Sequence, residues 1–160
     1  MTREEVFDAI EALLKKYAAE VNTAGPKDEA LIGRAEAFLG VTFPPSYREF
    51  LGRWGALGFG PEEFYGVTGE NFETGRVPNG IWFTAQERGK FGLPSGFLVV
   101  VNSDGDQYCC IDTTQKSTGG ESPVVIWDVS SRTVIGTKSP SFGEFLLTRL
   151  QETAEIIDAG

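Results

Sequence analysis

With 160 residues, 41% hydrophobic side chains and twelve phenylalanines, the chain carries enough core material for one domain and is not a disordered polypeptide. Its 23 acidic residues against 14 basic ones leave a net charge of −9, which disfavours nucleic acid and anionic membranes as partners and favours basic ones. The absence of histidine removes Ser-His and Cys-His nucleophile pairs and most zinc arrangements.

Thr2 and Glu5 have the spacing of a capping box, and Val6, Ile10, Leu13, Leu14 and Tyr17 follow at helical period. This first helix is expected to end between Glu20 and Asn22, before the breaker Thr23-Ala-Gly-Pro26. Asp28 can cap a second helix whose apolar face closes with Phe38 and Leu39, and Gly40 stands where a helix end needs positive φ. Pro44 and Pro45 suit the opening of a third helix, and Tyr47, Phe50, Leu51 and Trp54 form its buried stripe.

Glycines then punctuate short apolar pieces. Phe64-Tyr-Gly-Val67 reads as a first strand, Glu70 to Asn79 as a loop, and Ile81 to Thr84 as another strand, although Ala85 to Arg88 can turn helically. Phe97 to Asn102 and Gln107 to Asp112 flank Ser-Asp-Gly-Asp, a hairpin turn carrying Asp-Gly. Val99, Val100 and Val101 do not alternate, so this strand is expected to be central and covered on both faces. Val124 to Asp128 and Thr133 to Gly136 make a second hairpin-like pair. Ser141 and Glu144 then open a helix that buries Phe142, Phe145, Leu146 and Leu150. Trp54, Trp82 and Trp127 are read as buried, and so is Phe64. The fold class is α+β: N-terminal helices, a central, mostly antiparallel sheet, and a C-terminal helix packed on it.

One run carries more specificity than any other, from Ala35 through Phe43-Pro44, Tyr47 and Phe50-Leu51 to Gly55. Together with Glu36 and Leu39-Gly40 it resembles the opening signature of the SUKH superfamily. That superfamily comprises bacterial immunity proteins against polymorphic toxins and fungal cell-wall regulators. Phe97 to Asp112 resembles the family's central hairpin, and Ser141 to Leu146 its last helix, in the same order along the chain. The hairpin turn departs from the family pattern in lacking an additional glycine. The resemblance spans roughly residues 28 to 150 and implies one globular unit. Residues 1–26 would supply an N-terminal helix and connecting loop, 27–152 the SUKH-like domain, and 153–160 a C-terminal tail.

Catalytic and ligand motifs fail residue by residue. Gly58-Phe-Gly60 would open a dinucleotide fingerprint, but Glu63 occupies the third glycine position. A calcium loop counted from Asp104 would need glycine where Cys109 stands and glutamate where Gln115 stands. No cofactor, metal site or catalytic residue is expected. A glycosidase pair drawn from Glu62, Glu63 and Glu70 lacks any sequence measure of its separation. Cys109 and Cys110, adjacent on one strand, would face opposite sides and suit a reduced, cytoplasmic protein. No apolar leader follows Met1, and no run of about eighteen apolar residues occurs that would span a membrane.

Two stretches, Trp54 to Gly75 and Phe91 to Gln115, carry no lysine or arginine. They hold acids interleaved with aromatics. The partner-binding residues expected from this pattern are Glu62, Glu63, Tyr65, Glu70, Phe72, Glu73, Asp104 and Asp106. Aromatics provide affinity when desolvated, and acids speed the capture of a basic partner. With the resemblance, the reading is an immunity protein that occludes a cognate, basic, nuclease-like toxin domain. The alternative is an intracellular interaction scaffold or regulatory module of the same superfamily.

Overall fold

The computed structural model describes every residue from Met1 to Gly160. Three helices lead the chain: α1 (Arg3–Lys16), α2 (Glu29–Leu39) and α3 (Pro45–Trp54). Thr2 caps α1 in a reciprocal box with Glu5, Asp28 caps α2 through the Leu31 N–H, and Gly40 ends α2 at φ 69°. These are the signals that the sequence carries. α1 stops at Lys16, short of the end expected between Glu20 and Asn22, and a short strand, β1 (Val21–Thr23), lies where the sequence suggested the end of that helix and the start of a breaker. Its pairing with β2 (Leu57–Phe59), beyond α3, is long-range and leaves no local periodicity to detect.

β2 continues into β3 (Glu62–Phe64), completing an antiparallel three-stranded sheet in the order β1-β2-β3. The strand therefore stops where Phe64-Tyr-Gly-Val67 was expected to begin one. A second antiparallel sheet contains β4 (Phe97–Ser103), β5 (Gln107–Asp112), β6 (Val124–Asp128) and β7 (Thr133–Ser139), in that order. The Tyr65 N–H donates to the Val100 carbonyl at 2.8 Å and joins the two sheets edge to edge.

β4 is thus an edge strand of its sheet, not a central one, yet it is buried on both faces. Its outer backbone groups find partners elsewhere. Tyr65 satisfies Val100 at a β-bulge, and the Val99 N–H donates to the Thr84 hydroxyl. Thr84 belongs to α4 (Gly80–Phe91), so the strand expected over Ile81 to Thr84 is instead the start of a helix. The β-forming composition is overridden by the Asn79 cap, whose side chain accepts the Trp82 N–H, and by burial at Ile81, Thr84 and Glu87. Trp82 accordingly sits on a helix and is only half-buried, while Trp54 and Trp127 are buried as expected.

The last helix, α5 (Phe142–Ala159), packs along α1 and contacts α3 and β7. Residues 153–160, read as a tail, continue this helix to Ala159, and the Tyr17 hydroxyl donates to Asp158 at 2.7 Å. Glu121 ties the loop before β6 to the helical layer. Its carboxylate accepts both the N–H and the hydroxyl of Ser46, whose Oγ in turn accepts the Gly143 N–H at 3.0 Å.

Two cores result. The larger, under α1, α2, α3 and α5, includes Tyr47, Phe50, Phe64, Phe142 and Leu150. The smaller, under α4, gathers Tyr65, Phe97, Val99, Tyr108, Val125 and Trp127. Cys109 lies in the first and Cys110 in the second, as strand alternation requires. Burial pushes both thiols up, so neither is a ready nucleophile. Ellman's reagent is expected to leave both unmodified in the folded protein and to titrate both in denaturant. Rapid native labelling of either would contradict this placement.

Candidate interaction surface

Strand register builds one end of the surface. Asn22, Gly58 and Glu63 are direct cross-strand partners, so they share the outer face of the three-stranded sheet. α4 covers the same side over β4 but leaves this row open; Asn22 and Glu63 are exposed. Around it lies a groove of about 460 Å³, lined also by Thr23, Pro61, Thr68 and Pro78 and by no lysine or arginine.

Glu62 alternates to the opposite face. There its carboxylate accepts from Arg149 of α5 at 3.3 Å, and its side chain is only 21% exposed. It braces the fold as much as it faces outward. Tyr65 is 5% exposed, with its ring edge-on to Phe83 at 5.5 Å. Burial first, and then the Glu63 carboxylate, push its hydroxyl pKa up, while a hydrogen bond with the Asn102 side chain opposes them. Tyr65 is therefore a covered residue packed on Phe83 and does not present a free ring.

Asn102 links this end to the β4–β5 turn. Its Oδ1 accepts the Gly105 N–H at 2.8 Å, and Asp104 (φ 54°) and Gly105 (φ 79°) form the positive-φ pair of a tight hairpin. Asp104 and Asp106 are exposed and form no ion pair. The turn residues thus present two carboxylates, as the Asp-Gly signal suggested.

The other end is the loop from Thr68 to Pro78. Asn71 Oδ1 accepts the N–H groups of Glu73 and Thr74, and the Asn79 amide reaches back to the Asn71 carbonyl at 3.0 Å. Phe72 is 8% exposed and packs on Phe38 with ring centroids 5.5 Å apart. Phe38, placed by the sequence in the apolar face of α2, is in fact 42% exposed. Its aromatic character suited a core, but its ring packs on Phe72 of the loop and stays partly open. Phe38, Phe72, Glu70, Asn71 and Glu73 line a shallow depression of about 360 Å³. Glu70 is highly exposed and pairs with Arg34 at 3.2 Å, while Glu73 is exposed without an ion-pair partner.

The eight expected residues therefore fall into three settings. Glu63, Glu70, Glu73, Asp104 and Asp106 are exposed; Tyr65 and Phe72 are buried beneath them; Glu62 is held from behind. Sequence reading missed Asn22, Gly58 and Phe38, because the first two are assembled by long-range register and the third by incomplete loop cover. No group of three or more His, Cys, Asp or Glu converges in a way that could hold a metal ion. No helix is long and apolar enough to cross a membrane.

A family model described as SUKH_5, SMI1-KNR4 cell-wall, matches residues 5–151. That span covers the three leading helices, both sheets, α4 and the first half of α5. Members of this family are in general non-catalytic immunity or regulatory proteins that act through protein–protein interaction. By the extent of this match and the order of its elements, the chain belongs to the SUKH superfamily.

Proposed function

We propose that this protein is a cytoplasmic immunity protein that binds a cognate toxin domain and neutralises it by occlusion. The partner is a basic domain of the nuclease type, whose substrate groove or its rim meets the acidic surface. The observation that carries this reading is the exposure of Glu63, Glu70, Glu73, Asp104 and Asp106 on loops and a sheet edge of a chain with net charge −9. Only Glu70 among them has an internal ion-pair partner, so the field of the others points outward. Fast, electrostatically steered association suits a protein that must capture a toxin before damage accumulates.

The test is co-expression with the C-terminal domain encoded by the reading frame immediately upstream, followed by titration of the purified pair. Rescue of growth and inhibition that is complete at one-to-one stoichiometry are expected. Failure of rescue together with no complex would contradict the immunity reading and favour a regulatory module of the same superfamily.

A further inference from the structure

We infer that the groove over Gly58 is a receptacle for an arginine side chain of the basic protein partner, a statement that rests on the proposed function. The outer face of the three-stranded sheet has one residue per strand, in the row Asn22, Gly58, Glu63. The central position has no side chain. Neighbouring strands lie about 4.8 Å apart, so the backbones that carry Asn22 and Glu63 stand roughly 10 Å apart and their side chains flank a narrower slot with bare backbone as its floor. A guanidinium is flat and carries donors on several sides. It can lie on the glycine backbone, pair with the Glu63 carboxylate and donate to the Asn22 side-chain oxygen.

Charge selects the occupant. The groove takes its charge from the Glu63 carboxylate; the Glu62 carboxylate is turned to the opposite face, and the other lining residues are neutral. The cations nearby are already engaged: Arg149 pairs with Glu62, and the Lys27 ammonium donates to the Ala24 carbonyl at 2.8 Å. An acidic or apolar side chain would meet unfavourable charge or unpaired polar groups there.

Glycine at this position is not required by the backbone. Gly58 does not have positive φ, and a Cβ built on it meets only Asn22, at ordinary contact distances of 3.6 and 3.8 Å. Gly58→Val therefore fills the slot while leaving the strand as stable as before or more so. That separation makes the inference testable without the toxin.

The experiment is an NMR titration of the labelled protein with the tripeptide acetyl-Gly-Arg-Gly-amide, with the glutamate analogue as control. Amide shifts centred on Asn22, Gly58 and Glu63 are expected, saturating in the range of about 1–10 mM. Gly58→Val should abolish them with an unchanged or raised melting temperature, and Glu63→Gln should weaken them at least fivefold. Shifts spread evenly over Glu70, Glu73, Asp104 and Asp106, or surviving Gly58→Val, would overturn the receptacle. With the toxin domain in hand, Gly58→Val should weaken binding about tenfold or more. Unchanged toxin affinity in Gly58→Val, with loss of affinity on neutralising the acidic loops, would overturn the receptacle and leave the immunity reading standing.

Discussion

Gly66→Ala is expected to lower the melting temperature by about 10–15 °C, corresponding to a destabilisation on the order of 3–5 kcal/mol. A Cβ at Gly66 would lie 1.8 Å from the carbonyl oxygen of Gly55, a backbone atom that cannot rotate away. Three segments are locked at this crossing by three hydrogen bonds: Val67 N–H to Gly55 O, Gly66 N–H to Pro78 O, and Gly80 N–H to Gly66 O, at 2.8, 3.0 and 2.8 Å. The crossing holds α3, the end of β3 and the start of α4 in register, and both ends of the acidic loop emerge from it. Gly33→Ala in α2 is the matched control. Its Cβ would meet nothing within 4 Å, and helix propensity favours alanine by about 0.5–1 kcal/mol. A Gly66→Ala melting temperature within about 2 °C of the parent would refute this packing.

The second large effect is kinetic. Replacing Glu63, Glu70 and Glu73 with glutamine and Asp104 and Asp106 with asparagine removes five exposed negative charges. At low salt the association rate with the toxin domain is expected to fall by about 10- to 100-fold, and its salt dependence to flatten. Stability should hardly change. Only the Arg34–Glu70 pair is lost, and an exposed pair of this kind is worth about 0–1 kcal/mol. Neutralising Glu4, Asp8, Glu152 and Glu155, exposed on α1 and α5, removes nearly as much charge from a different part of the surface. That control should slow association far less. Equal slowing by both sets would mean that net charge, not this surface, steers the encounter.

Much of the scaffold was legible because its signals are local. Thr2, Asp28 and Ser141 cap helices, Gly40 ends one in the left-handed region, and Asp104-Gly105 turns a hairpin; each acts within a few residues of itself. The opposite placement of Cys109 and Cys110 follows from strand period alone. What escaped detection depends on distant partners. β1 exists because β2 lies beside it, α4 is a helix because β4 and Tyr65 offer it a buried face, and β4 tolerates an edge because Tyr65 and Thr84 satisfy it. The acidic loops could be picked out by composition, since a stretch without lysine or arginine needs no fold to be recognised. Which aromatics lie open could not. Tyr65 and Phe72 are covered and Phe38 is open, because cover comes from loops and helices remote in sequence.

The most direct test of the account is hydrogen exchange on the complex with the upstream-encoded toxin domain. Protection is predicted at β1 to β3, along the 68–78 loop and in the 102–106 turn, with the exposed edge strand β7 and the outer faces of α1 and α5 unchanged. Protection concentrated on β7 or α5, with the acidic loops exchanging as in the free protein, would contradict binding through the acidic surface.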